Sequence, residues 1–79
     1  MKKLGEQLKK MRLAKSLSQK DVAVFLGYSS SQFVSNWERN LCRPPGSALR
    51  GLSKLFSVNY KDLVNSFVAH YKAELMKNE

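Results

Sequence analysis

The sequence predicts an all-α domain, and three observations lead to this fold class. Apolar residues recur at helical spacing in five separate stretches, which is the pattern of amphipathic helices. Short segments rich in Ser, Asn, Gly or Pro separate these stretches, as expected for caps and turns. No alternating β-branched run and no hairpin dipeptide indicates a strand. With 79 residues, the chain is predicted to form a single domain, residues 1–79, built as a small helical bundle.

The first two helices have clear apolar faces. In residues 2–14, Leu4, Leu8 and Met11 form one stripe between Lys and Gln residues. The second helix is expected to start after Ser18, because Ser18 with an Asp three residues later resembles a capping box. Gly27 supplies the left-handed residue that ends this helix. Its buried face is predicted to contain Val22, Ala23 and Leu26, with Phe25 beside it.

The third helix is predicted to begin at Ser31, with Ser30 as its cap, and to end near Asn40. The chain alternates polar and apolar residues in this short segment. One side is expected to face the core, and its members are Phe33, Val34 and Trp37. The loop that follows contains two prolines, which exclude a helix there.

The last two helices also follow candidate caps. Ser47 is the predicted cap of the fourth helix, whose buried face is expected to contain Leu49, Leu52, Leu55 and Phe56. Asn59, with Asp62 three residues later, is the predicted cap of the fifth helix. The apolar stripe of the fifth helix continues to about residue 76 and contains Leu63, Val64, Phe67, Tyr71 and Leu75.

The charge distribution indicates a polyanionic partner. The chain has 14 Lys and Arg residues against 6 Asp and Glu residues, a net charge of +8. The excess lies entirely within residues 1–54, which hold 11 basic and 3 acidic residues. Charge alone does not choose between DNA, RNA and an anionic membrane. No apolar run approaches the length of a membrane span, so no membrane association is expected.

Enzymatic and metal-binding functions have no support in the sequence. No nucleophile-and-base pattern and no Gly-rich phosphate loop is present, so we expect no enzyme and no cofactor. His70 lacks partners at metal-ligand spacing. The single Cys42 excludes an internal disulfide and suits a reducing compartment. The N-terminal bases are not followed by an apolar stretch, so we expect no export signal and a cytoplasmic location in a bacterial or phage-infected cell.

Three segments together resemble a known family. "LKKMRLAKSLSQKDVAVFLG", "VSNWERN" and "VNYKDLV" occur in this order within residues 4–64. They are similar to the first two helices, the end of the recognition helix and the start of the fifth helix of lambda-repressor-like domains. This helix-turn-helix family includes the Cro and cI repressors and other XRE-type regulators. Two differences are that the turn after Gly27 is one residue longer than usual and that Asn40 replaces the usual Gly.

The resemblance implies a five-helix lambda-repressor-like domain with an extended C-terminal helix. Its helix-turn-helix would cover about residues 19–39. The third helix would then enter the major groove of double-stranded DNA, where amide and hydroxyl side chains can contact base edges. The expected base-contacting residues are Ser31, Gln32, Ser35 and Asn36.

Other residues are expected to contact the DNA backbone or to hold the domain together. In the family, the residue that matches Gln19 contacts a phosphate and often packs against the recognition helix. Basic residues near the recognition helix are candidates for the same role, and they are Lys10, Lys20, Arg39 and Arg43. The resemblance also implies a partly buried ion pair between Arg12 and Glu38. Trp37 is expected in the core and not on a nucleotide.

The fifth helix is longer than such a domain requires and suggests a homodimer through residues 60–77. Its candidate dimerisation residues are Val64, Phe67, Val68, Tyr71 and Leu75. The sequence therefore predicts a dimeric, sequence-specific DNA-binding regulator, expected to be a repressor of phage, plasmid or bacterial type. Two alternatives remain open: an adaptor or antitoxin-type protein that binds a protein partner, and a nonspecific nucleic-acid binder.

Overall fold

The chain forms five α-helices in the described part of the computed structural model, which covers residues 3–77 and the side chains of residues 4–69 and 72. No strand occurs within this part of the chain. The helices are α1 (Lys3–Ala14), α2 (Gln19–Leu26), α3 (Gln32–Glu38), α4 (Gly46–Phe56) and α5 (Tyr60–Lys77). The all-α class and the number of helices predicted from the sequence are confirmed.

One hydrophobic core joins all five helices. The apolar stripes predicted from the sequence supply most of it, because residues at helical spacing point to the same side. Its most buried members are Leu8, Val22, Ala23, Val34, Trp37, Ala48, Leu49, Leu52, Phe56, Leu63 and Phe67. Leu4, Met11, Leu26 and Leu55 pack around this core and are partly buried.

The boundaries of α2 are set by local hydrogen bonds. The Ser18 side chain accepts a bond from the Asp21 amide at 2.9 Å, and the Ser18 amide donates to Asp21 Oδ2 at 2.9 Å. This is the predicted capping box. At the other end Gly27 has φ +88°, and the Tyr28 amide donates to the Ala23 carbonyl at 2.9 Å. The predicted left-handed stop is therefore also confirmed.

The start of α3 lies one residue later than predicted. The helix begins at Gln32, whereas Ser31 was expected to be its first residue. Ser31 already has helical dihedral angles (φ −78°, ψ −1°), and Ser30 Oγ accepts a hydrogen bond from the Gln32 amide at 3.0 Å. The cap position is therefore occupied by Ser31, which makes no side-chain cap bond, and not by Ser30 as predicted, although the Ser30 hydroxyl still binds the first amide of the helix. The extra residue of the turn is accommodated before the helix begins.

Phe33 was predicted to face inward, and this prediction is wrong. Its side chain is 50 % exposed, whereas Val34 and Trp37 are each 3 % exposed. In so short a helix the core direction is fixed by Val34 and Trp37, and Phe33 falls at the edge of their face. Its ring lies against Tyr28 instead, with 4.9 Å between ring centroids.

The cap of α4 also differs from the prediction. The helix begins at Gly46, one residue before the expected cap Ser47, and Pro45 occupies the cap position. Pro45 is extended (φ −70°, ψ 164°), and its carbonyl accepts the first helical hydrogen bond from the Leu49 amide at 3.0 Å. A proline tolerates this position because it needs no partner for an amide hydrogen. For α5, Asn59 Oδ1 accepts from the Asp62 amide at 3.1 Å, as predicted.

Candidate nucleic-acid interface

The outer side of α3 carries two linked amide side chains. Gln32 is exposed, and Asn36 is partly exposed one turn further along the helix. Gln32 Nε2 donates to Asn36 Oδ1 at 3.0 Å, and Arg39 Nη2 donates to the same oxygen at 3.0 Å. Side chains three and four residues apart meet on a helix surface, which explains this chain of contacts. Ser31 and Ser35, the other predicted base-contacting residues, are partly exposed at the same helix.

A buried ion pair anchors the C-terminal end of α3 to α1. Arg12 Nε donates to Glu38 Oε2 at 2.7 Å, and Arg12 Nη2 donates to Glu38 Oε1 at 3.1 Å. The two side chains are only 9 % and 5 % exposed. Arg12 Nη1 donates in addition to the Leu17 carbonyl at 2.8 Å. This two-pronged geometry fixes the direction of the guanidinium as well as its distance. Glu38 therefore points into the protein and away from the outer side of α3.

Gln19 joins this ion pair. Its Nε2 donates to Glu38 Oε1 at 3.0 Å, and its side chain is partly buried. Glu38, the last residue of α3, thus binds both Arg12 of α1 and Gln19, the first residue of α2. The resemblance implied that Gln19 packs against the recognition helix, and this contact agrees with it, but Glu38 was not predicted as the partner. The phosphate contact of Gln19 stays a prediction.

Asn40 makes a contact that the sequence did not reveal. It has φ +62°, which is the left-handed conformation expected of a helix stop. Its Oδ1 also accepts a hydrogen bond from the Gly5 amide at 3.0 Å. Gly5 lies in the first turn of α1, where amide groups have no partner within the helix. The usual Gly at position 40 could not supply this acceptor.

Gly5 allows α1 to approach the end of α3 closely. A Cβ atom at residue 5 would overlap the backbone carbonyl of Glu38 and crowd that of Trp37. Only glycine fits without a shift of one helix relative to the other. Two contacts of different kinds, this backbone approach and the Arg12–Glu38 pair, therefore set the position of α3 on the domain.

The basic residues predicted to contact phosphates lie at the surface. Lys10, Lys20, Arg39 and Arg43 are all exposed, on α1, on α2, after α3 and in the following loop. Positive charge of this kind attracts the DNA backbone without selecting a sequence. Another basic residue, Arg50, lies over the ring of Tyr60 at 4.5 Å and so joins α4 to α5 through a cation–π contact.

The pKa of Asp21 is lowered by its place in the α2 capping box. The Ser18 amide donates to its carboxylate, and the Ser18 hydroxyl contributes further. Both hydrogen bonds favour the charged form. A negative charge in the first turn of a helix is favourable as well.

The predicted dimerisation residues differ in their accessibility. Phe67 is 7 % exposed and belongs to the core of the single chain, whereas Val68 is 47 % exposed. Val64 is partly buried against the core. The side chains of Tyr71 and Leu75 lie outside the described residues, as does that of His70. Val68 is therefore the most accessible candidate within the described part.

Two further observations concern other kinds of site. Among the described residues, no group of three or more His, Cys, Asp or Glu side chains is placed to hold a metal ion. Cys42 is free and exposed. Within the same described residues, none of the helices combines the length and the apolar character that crossing a membrane requires.

The fold and the amide-bearing outer side of α3 define a helix-turn-helix DNA-binding domain. A family model described as Helix-turn-helix matches residues 8–63. The chain belongs to this family, that of the lambda-repressor-like, XRE-type helix-turn-helix proteins, and is thus a DNA-binding transcription regulator of that type. Neither the curated proteins nor the solved structures gave a significant match.

Proposed function

We propose that this protein is a sequence-specific repressor that binds double-stranded DNA as a homodimer. The observation that supports it most directly is the arrangement around α3. Two amide side chains, Gln32 and Asn36, are accessible on its outer side, while a buried ion pair holds its C-terminal end. A recognition helix needs both properties, because base contacts require fixed geometry and polar groups that solvent can reach.

Gln32 and Asn36 suit adenine. An amide side chain can donate to N7 and accept from the N6 amino group of one adenine, and such a paired contact discriminates by about 1–3 kcal/mol. In the free protein the two amides bond to each other at 3.0 Å. A correct base pair replaces this bond with two new ones, whereas an incorrect pair breaks it without compensation. The amides therefore favour sequence-dependent binding.

Exposed basic residues would supply most of the affinity for DNA. Lys10, Lys20, Arg39 and Arg43 would contact phosphates, and Gln19 at the start of α2 would add a neutral contact. Each neutralised phosphate releases counterions, so the dissociation constant should rise steeply with salt concentration. Repression follows if an occupied site overlaps the region that RNA polymerase needs. In this proposal the protein works inside the cell that holds its operator, in the cytoplasm of a bacterium or phage host.

Dimerisation would match the symmetry of DNA. Two copies related by a two-fold axis contact two half-sites about one helical turn apart. Val68 is exposed on α5 and lies beside the partly buried Val64, so this side of the helix is the proposed contact. Substituting Val68 with Asp should give a monomer in sedimentation experiments and should weaken binding to a two-half-site operator much more than to a single half-site.

The test of sequence-specific binding is selection of sites from random duplex DNA, followed by competition binding at two salt concentrations. The double substitution Gln32→Ala with Asn36→Ala should reduce the preference for the selected site roughly 5- to 100-fold or more, with little change in nonspecific binding. Asn65→Ala removes an exposed amide on α5 and serves as the matched control. Equal binding of selected and scrambled DNA by the native protein would contradict the proposal.

A protein partner is the second candidate function. Val24 and Phe25 are 60 % and 52 % exposed, and they are consecutive residues of α2. Adjacent exposed apolar side chains favour a protein contact, as in an adaptor or an antitoxin. In that case the α3 double substitution would leave the function intact, while a charge at residue 24 would abolish it.

A further inference from the structure

Phe33 lies where the recognition helix meets the turn before it. It is the second residue of α3, and the residue as a whole is 50 % exposed. Successive residues of an α-helix are rotated by about 100°, so Phe33 lies only about 60° around the helix from Asn36. It also follows Gln32 directly in the chain. An apolar ring is therefore accessible at the flank of the amide-bearing surface.

The ring of Phe33 is held from behind. It packs against Tyr28 at 4.9 Å, with 31° between the ring planes. Tyr28 in turn meets Trp37 edge-on at 5.7 Å, and Trp37 is 3 % exposed in the core. Aromatic contacts at these distances are favourable and restrict ring movement. The inner side of the ring is supported, and its outer side is available to a ligand.

We propose that Phe33 is a further specificity-determining residue, whose exposed ring packs against the 5-methyl group of a thymine in the major groove. This inference rests on the proposed sequence-specific DNA binding. The thymine methyl is the apolar group that distinguishes thymine in this groove, and Phe is one of the side chains suited to it. The choice of base agrees with the neighbours of Phe33. An adenine contacted by Gln32 or Asn36 is paired with a thymine, whose methyl group lies in the same groove.

The experiment replaces each thymine of the selected operator, one at a time, with deoxyuridine, which lacks only the methyl group. For the native protein, at least one replacement in each half-site should raise the dissociation constant about three- to four-fold, the value of one buried methyl-sized group. In Phe33→Ala this replacement should have no effect, while the remaining positions behave as before.

Two variants keep the test clear. Phe33→Gln has a polar side chain of similar reach and should lose the same sensitivity to the thymine methyl group. It replaces Phe33→Ala in the test if that variant proves too unstable. Phe25→Ala removes another Phe, 52 % exposed on α2, and should retain the native profile. Thermal unfolding of each variant establishes that it is folded at the binding temperature.

The outcomes separate the two proposals. If the random pool yields no preferred site, sequence-specific binding fails and the role of Phe33 fails with it. If a site is found but no thymine responds to loss of its methyl group, only the role of Phe33 is overturned. The same conclusion follows if native protein and Phe33→Gln respond identically at every thymine.

Discussion

Substitutions of Asn40 should separate its two structural roles. Asn40 adopts a left-handed conformation (φ +62°), and its side chain accepts a hydrogen bond from the Gly5 amide at 3.0 Å. Gly at this position keeps the conformation but loses the acceptor. Ala loses the acceptor and also adopts the left-handed conformation at a steric cost. Asp keeps an acceptor and adds a negative charge near the start of α1.

The expected changes follow from the value of each contact. Loss of one partly buried hydrogen bond costs about 0.5–1.5 kcal/mol. A left-handed conformation costs an ordinary side chain about 1–2 kcal/mol. We therefore expect Asn40→Gly to lower the free energy of unfolding by about 1 kcal/mol and Asn40→Ala by about 2–3 kcal/mol. Asn40→Asp should be neutral or stabilising by up to about 1 kcal/mol, because anions are favourable at a helix N-terminus.

The assay is urea unfolding followed by fluorescence of Trp37, which is the chain's single Trp and is 3 % exposed. Ser57 provides the control. It is also left-handed (φ +58°), and its cap contacts are made by its own backbone amide. Ser57→Gly should therefore stabilise the protein, while Asn40→Gly destabilises it. If Asn40→Gly is as stable as the native protein, the proposed role of the Asn40 side-chain acceptor is wrong. If the Gly and Ala variants at position 40 are equally stable, the proposed cost of the left-handed conformation is wrong.

Of three other predictions, two concern the contacts that join α1 to α3, and the third concerns the capping box of α2. Gly5→Ala should lower the free energy of urea unfolding by about 1–3 kcal/mol, because the added carbon overlaps the Glu38 carbonyl. Helix propensity alone predicts that Ala stabilises the helix. A more stable variant would therefore disprove the close approach of α1 and α3. Arg12→Met should cost about 3–5 kcal/mol by leaving a buried carboxylate unpaired. Adding Glu38→Leu should recover much of this loss, and a further loss of similar size would contradict the pairing. The lowered pKa of Asp21 means that its stabilising effect is present above the pKa of an ordinary aspartate and is lost as pH falls through the lowered value. Acid unfolding of Asp21→Asn should therefore lack this component, and identical acid profiles would count against it.

Local rules predicted the helices well. The caps of α2 and α5 were identified because a capping residue and its partner are three positions apart in the chain, so their geometry depends on a single turn. The same is true of Gly27, whose left-handed conformation is a local property. The start of α4 was misplaced because the proline at position 45 and the serine at position 47 both satisfy local rules.

Contacts between helices were not predictable in the same way. The bond between Asn40 and the Gly5 amide joins residues 35 positions apart, and that between Gln19 and Glu38 spans 19 positions. Such contacts depend on how the helices pack and leave no periodic signal. Phe33 was misplaced for a related reason. In a helix of seven residues, Val34 and Trp37 alone set the buried direction, and the next apolar residue is left at the edge.

The shortness of α3 links DNA binding to the integrity of the entire domain. With seven residues, it is far below the length at which an isolated helix persists in water. Its shape is therefore maintained by its neighbours, through Trp37, Glu38 and the approach of α1. Loss of operator binding and loss of the native fold should coincide as temperature or denaturant rises. In the proposed regulator, a protease that cuts α4 or α5 would release the operator, although every residue proposed to contact DNA lies outside these two helices.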